Sequence, residues 1–167
     1  MFPTFFIEIQ QLNSLKMKTK IKKDWYGRLK SVEELHNDAT LWISEINFIN
    51  DEIRFLNHLL SSNYIDFLEA GLDKKIKGMI KKLDTEKNMG NILYKNIILH
   101  KKIMRELIET KSVTSNKNYL ETHKKLEREV YVYFKKYRKI KKNIFNLVES
   151  IMRKKEQKKL VGVNHLN

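Results

Sequence analysis

Three histidines are the first residues in this chain whose chemistry suggests a site. His36, His100 and His123 lie far apart in sequence, and imidazole is the commonest protein ligand for transition metals. Suppose a first helix starts near residue 31 and a third near residue 118, packed parallel. Residues about 87 apart then stand level, which brings His36 to His123. His100, on an intervening antiparallel helix, would lie within about two turns of both. Three imidazoles at one end, with Glu33 or Glu106 beside them, could hold Zn²⁺ or another transition metal. The plainer use of the same residues is structural, with His100 and His123 as neutral core groups and His36 in solvent.

A second constellation pairs charges with aromatics. Glu45 and Glu52 are set between Phe48 and Phe55 at the edge of an apolar helical face, and the flanking line Tyr131, Phe134, Arg138, Lys141, Phe145 places cations between aromatics in mirror fashion. The carboxylates could be an acid/base pair. Interhelical ion pairs that set register explain them better, with Arg138 and Lys141 as the favoured donors. The densest basic run is Phe134 to Lys142, in which Lys135, Lys136, Arg138, Lys139 and Lys142 form a patch for phosphates, and Tyr131 or Phe134 could stack on bases. A lysine-rich stripe on a long helix is also an ordinary solvated face.

Other chemistries are excluded by what the chain lacks. No Gly-rich phosphate loop, nucleophile elbow or His-Glu-x-x-His occurs. A di-iron bundle needs Glu-x-x-His on two helices, and only Glu33 to His36 fits. With no cysteine there is no thiolate metal site, disulfide or redox pair. An enzyme is therefore not expected, and no cofactor is implied beyond the zinc-type metal just described.

The elements that must position these residues are helices. The chain has one Pro and five Gly in 167 residues, with 41% hydrophobic content to fill a core. In the first helix Val32, Leu35, Ala39, Trp42, Ile46, Ile49, Ile53, Leu56 and Leu60 fall at alternating steps of three and four. A second line, Leu41 to Leu59, runs beside it, so this helix needs two neighbours. A short helical turn, Tyr64 to Ala70, should stop at Gly71. The second helix carries Leu72, Ile76, Met79, Leu83, then Leu93, Ile97, His100, Met104 and Leu107. Glu86 and Gly90 occupy the seam between, so a kink or break is expected from Asp84 to Gly90, with Thr85 capping a second half. The third helix has ten consecutive seam positions, from Tyr119 and His123 to Leu147 and Ile151. Short connections make this an all-α, elongated, antiparallel three-helix bundle with up-down-up topology.

Charge is distributed unevenly over those elements. Residues 14–30 carry seven basic groups and one acid, residues 31–69 one basic and eight acidic. Residues 70–112 have 11 against five and residues 113–167 have 15 against five, within a net charge of +14. The acidic first helix should therefore pair with its basic neighbours. Only six of the 34 basic residues are Arg, the type favoured for base-edge recognition, so the net charge alone does not define a nucleic-acid binder.

The stretch Leu35-His36-Asn37-Asp38, Trp42, Glu45-Ile46, Phe48, Asp51-Glu52-Ile53 and Phe55-Leu56 resembles the opening helix of a group of small, coiled-coil-like helical-bundle proteins of Bacteroidetes-type bacteria. His123, Leu126, Val130, Tyr133, Tyr137 and Ile140 are similar to its closing helix. The resemblance covers about half the chain, implies the bundle fold and carries no activity.

Residues 1–16 are expected to be poorly ordered, 17–153 to form a single bundle domain, and 154–167 to be a frayed basic tail. The N-terminus lacks a basic region before its apolar stretch, so a secretory signal is not expected. No run of about 18 apolar residues occurs, so no transmembrane segment is expected and the location should be cytoplasmic. These features describe a non-enzymatic interaction or scaffold module with a protein partner or a second copy as its target. The alternatives are a nucleic-acid or anionic-surface binder and a small metal-binding bundle using the histidines.

Overall fold

The computed structural model describes residues 30–111 and 118–163, with side chains to residue 159. Residues 1–16 and the stretch up to 29 lie outside the described residues. From Ser31 onward the described chain is one compact unit made of helices, with no strand among the described residues.

Helix α1 spans Val32–Ser62 and begins where its sequence says it should. Ser31 Oγ accepts from the Glu34 backbone N–H at 3.3 Å, and the Glu34 carboxylate accepts from the Ser31 N–H at 2.8 Å. This capping box satisfies two of the donors that a helix start leaves open. The short helix α2, Tyr64–Glu69, ends on Gly71, whose φ of 71° suits a residue without a β-carbon. Leu72 N–H donates to Phe67 O and Gly71 N–H to Leu68 O, so a Schellman closure reverses the chain over the fully buried Phe67. Tyr64 Oη donates to Asp73 at 2.6 Å and locks the corner into the first turn of the next helix.

Helix α3 runs unbroken over Asp73–Thr110. The break expected between Asp84 and Gly90 is absent, and Thr85 caps nothing: its hydroxyl donates back to Lys81 O within the helix. Continuity is favoured because Glu86 and Gly90 are both buried against a neighbour, and tertiary contact outweighs the roughly 1 kcal/mol that a mid-helix glycine costs. Helix α4 spans Asn118–Val163, so its backbone stays helical ten residues beyond Arg153, where a frayed tail was expected. Its side chains from Arg153 to Lys159 are exposed, which suits the lapse in apolar spacing there.

The core follows the three seams. Ala39, Ile46, Ile49 and Ile53 of α1, Ile76, Leu83, Ile97 and Met104 of α3, and Tyr137 and Ile144 of α4 are sealed from solvent. Four polar residues share that interior: Glu52, Glu86, His100 and His123.

Candidate functional sites

The four buried polar residues fall into three clusters, each tying α4 to another helix. At the first, Glu52 of α1 meets two groups from successive turns of α4. Tyr137 Oη donates to Glu52 Oε2 at 2.9 Å, and Lys141 Nζ donates to Oε1. Burial and the adjoining carboxylate push the Tyr137 phenol far above its usual range, so it stays a donor. Both carboxylate oxygens are matched, the condition under which a buried ion pair is tolerated.

Glu45, two helical turns before Glu52, is half-buried. Desolvation raises its pKa, the positive charge of Arg138 opposes that rise, and the nearby Glu52 adds to it. Glu45, Glu52, Arg138 and Lys141, the ion-pair set expected from sequence, thus stand at one α1/α4 boundary. Tyr137 was missed as a member because its seam position marked it only as core.

The second cluster was not anticipated. Glu86 of α3 is 1% exposed and has Lys136 Nζ of α4 at 2.6 Å from Oε1, off the line of a hydrogen bond. Its Oε2 has no protein partner, and neither does the buried hydroxyl of Tyr133. Burial first, then the Glu86 charge, raises the Tyr133 pKa, which puts the phenol and the carboxylate in one environment. Gly90, one turn beyond Glu86, supplies the room: a β-carbon there would stand 2.5 Å from Tyr133 Oη. Glu86 and Gly90 at i and i+4 in a seam were the visible signal, and they mark a socket rather than a break.

The third cluster is the histidine pair. His100 Nε2 and His123 Nδ1 are 3.1 Å apart, so one donates to the other, and both rings are buried. Trp42 lies against His123 with ring centroids 4.7 Å apart, and Asp38 Oδ2 is 3.6 Å from His123 Nε2. Burial first, and then the neighbouring His123, lower the His100 pKa to about 4. His100 is therefore neutral at pH 7.

The expected three-histidine metal site is not assembled. Among the described residues no group of three His, Asp, Glu or Cys side chains is placed to hold a metal ion. His100 Nε2 and His123 Nδ1 are taken up by their mutual hydrogen bond, while the other ring nitrogens, His100 Nδ1 and His123 Nε2, have no hydrogen-bond partner among the described residues. His36 is half-buried with its Nε2 unpartnered, and its pKa is lowered by burial and by the charges of Lys101 and Arg105. That cationic setting opposes a cation at His36. Of the two carboxylates considered beside it, Glu33 lies in the solvated first turn of α1 and Glu106 is exposed on α3.

Lys135, Lys136, Arg138, Lys139 and Lys142 are all exposed on α4. They divide by role: Lys136 serves Glu86 and Arg138 acts on Glu45, leaving Lys135, Lys139 and Lys142 facing solvent. Of the two aromatics considered for base stacking, Phe134 is 3% exposed and closed to a ligand, whereas Tyr131 is 51% exposed.

A cleft of about 620 Å³ lies between the first turns of α3 and the later turns of α4. It takes in Lys74, Lys75 and Lys82 from α3, and Asn143, Asn146 and Ser150 from α4. No helix among the described residues is long and apolar enough to cross a membrane. No protein-family model matches the chain, and neither the curated proteins nor the solved structures give a match.

Proposed function

We propose that the chain is a non-enzymatic helical interaction module, built as an up-down-up three-helix bundle, that holds a protein partner. The register of cross-helix contacts supports the topology. Partners between the acidic half of the chain and α4 stay 85 to 89 positions apart, from Glu52 with Tyr137 to Asp66 with Lys155, as expected when both segments run the same way. Partners between α3 and α4 instead spread apart in sequence away from their connection, from His100 with His123 to Glu86 with Lys136, the signature of opposite directions.

The observation that carries the functional reading is the use made of reactive groups. Glu52, His100 and His123 are closed into helix–helix contacts, and Glu86 is buried against Lys136 and Tyr133; none lines the open cleft. A catalyst needs an acid, base or nucleophile that a substrate can reach. Binding needs only a rigid surface, and the three clusters supply rigidity. Exposed large apolar residues such as Ile98, 43% exposed, supply contact area, whereas Ile43 and Met152 are half-buried and supply less.

The test is an affinity pull-down of the tagged full chain from lysate, with and without nuclease. Specific protein partners that survive nuclease and 0.3 M salt support the module. If every partner is lost with nuclease, a protein-holding role is wrong.

A further inference from the structure

We propose that the cleft between α3 and α4 is a binding furrow for the sugar–phosphate backbone of a single-stranded nucleic acid. Its α3 bank presents Lys74, Lys75 and Lys82. Among the described residues none of these three lies within ion-pair distance of a carboxylate, although Lys77, Lys136, Lys141 and Lys155 all do. The opposite bank presents Asn143, Asn146 and Ser150, uncharged groups able to donate to phosphate oxygens and sugar hydroxyls. Among the described residues no carboxylate lines the cleft. Lys74 also acts on Asp73 in the first turn of α3, and with Lys75 and Lys82 it gives the cleft a local excess of positive charge.

The furrow continues along α4. Lys135, Lys139, Asn143, Asn146, Ser150 and Lys154 recur at steps of four, four, three, four and four, so they share one face of the helix. From Lys135 to Lys154 that face runs about 28 Å, enough to follow several phosphates. A cleft of about 620 Å³ takes a short stretch of one strand rather than the body of a duplex. A concave channel also suits a chain better than a flat lipid surface does. Lysines act here as point charges and no exposed aromatic lines the cleft, so the furrow reads charge spacing without base sequence. Gly78 faces this space with nothing within 4 Å of where its β-carbon would be, so the floor accepts added atoms without a clash.

Fluorescence anisotropy of a labelled 20-mer oligothymidylate with the full chain tests the furrow. Expected is salt-sensitive binding, with a log K against log salt slope near −2 for about three phosphate contacts. Lys75→Glu with Lys82→Glu should weaken binding at least tenfold and flatten that slope. Gly78→Glu, which adds a carboxylate to an open floor and improves helix propensity, should weaken it at least threefold with an unchanged circular dichroism spectrum. Lys95→Glu with Lys102→Glu makes the same change in net charge on the distal half of α3 and should weaken binding less than twofold. Equal losses in the two double variants, or no binding by the unaltered chain, would overturn the furrow. Stronger, furrow-dependent binding to vesicles containing 30% phosphatidylserine would also overturn it, in favour of a lipid surface.

Discussion

Glu52 and Glu86 are the same residue in nearly the same setting, yet the bundle treats them differently. Each is buried, each comes from a different helix, and each faces a tyrosine and a lysine of α4. Glu52 has both oxygens matched, and its lysine is itself largely buried, with a side chain 15% exposed. Glu86 has a lysine that is 57% exposed and approaches off-axis, one oxygen without a partner, and a tyrosine hydroxyl that is also unmatched. Buried charge is stabilising only when its whole hydrogen-bonding capacity is met. The first cluster meets that condition and the second does not, so removing the first should cost far more than removing the second.

The largest effect should come from breaking the first cluster. Glu52→Leu leaves the Lys141 ammonium buried without a counter-charge and Tyr137 without an acceptor, and should destabilise by about 3 kcal/mol. Glu86→Leu removes a poorly matched charge, and Lys136 can turn to solvent, so stability should change by less than about 1 kcal/mol in either direction. Urea unfolding of both variants decides the contrast. Similar losses would mean that Glu86 is as well satisfied as Glu52.

Next in size is a pH effect centred on the histidine pair. The folded-state pKa of His100, about 4, is depressed from its ordinary 6.5. Below pH 6.5 the unfolded chain therefore takes up a proton that the folded chain refuses. Stability should fall as pH drops from about 6.5 to 4, by at most about 3 kcal/mol, and His36 shifts in the same direction. His100→Leu should remove most of the slope between pH 7 and 4.5. Parallel stability curves for the variant and the unaltered chain would rule out this origin.

The smallest expected effect probes the Gly90 socket. Gly90→Ala gains about 1 kcal/mol of helix propensity but brings a β-carbon to 2.5 Å from Tyr133 Oη, and should lose about 1 kcal/mol net. With Tyr133→Phe already in place, the clashing oxygen is gone and the same alanine should be neutral or stabilising. Thermal melts of the four chains make a double-mutant cycle. Additive changes would show that Gly90 does not seat Tyr133.

The helical class and the core were legible in sequence because both rest on local periodicity. A step of three or four residues places Ile46, Ile49 and Ile53 on one face whatever the rest of the chain does, and all three are fully buried. Gly71 with its positive φ is a local signal of the same kind and marks the end of α2, whereas the capping box of Ser31 and Glu34 is equally local but was not read from the sequence. The meeting of His100 with His123 was legible too, since it needs only seam placement and short connections.

Tertiary structure decided what local pattern could not. Whether Glu86 and Gly90 interrupt a helix or form a socket depends on Tyr133 from another helix arriving between them. Whether three histidines converge on a metal or two share a proton depends on helix rotation, which sets ring separation to within an ångström and has no trace in spacing. The α3/α4 furrow is the same kind of fact. Lys75 and Asn146 are ordinary exposed positions on their own helices, and only the packing of those helices puts both on one cavity, because side-chain periodicity orders each helix separately while the distance between helices is set by the residues packed between them.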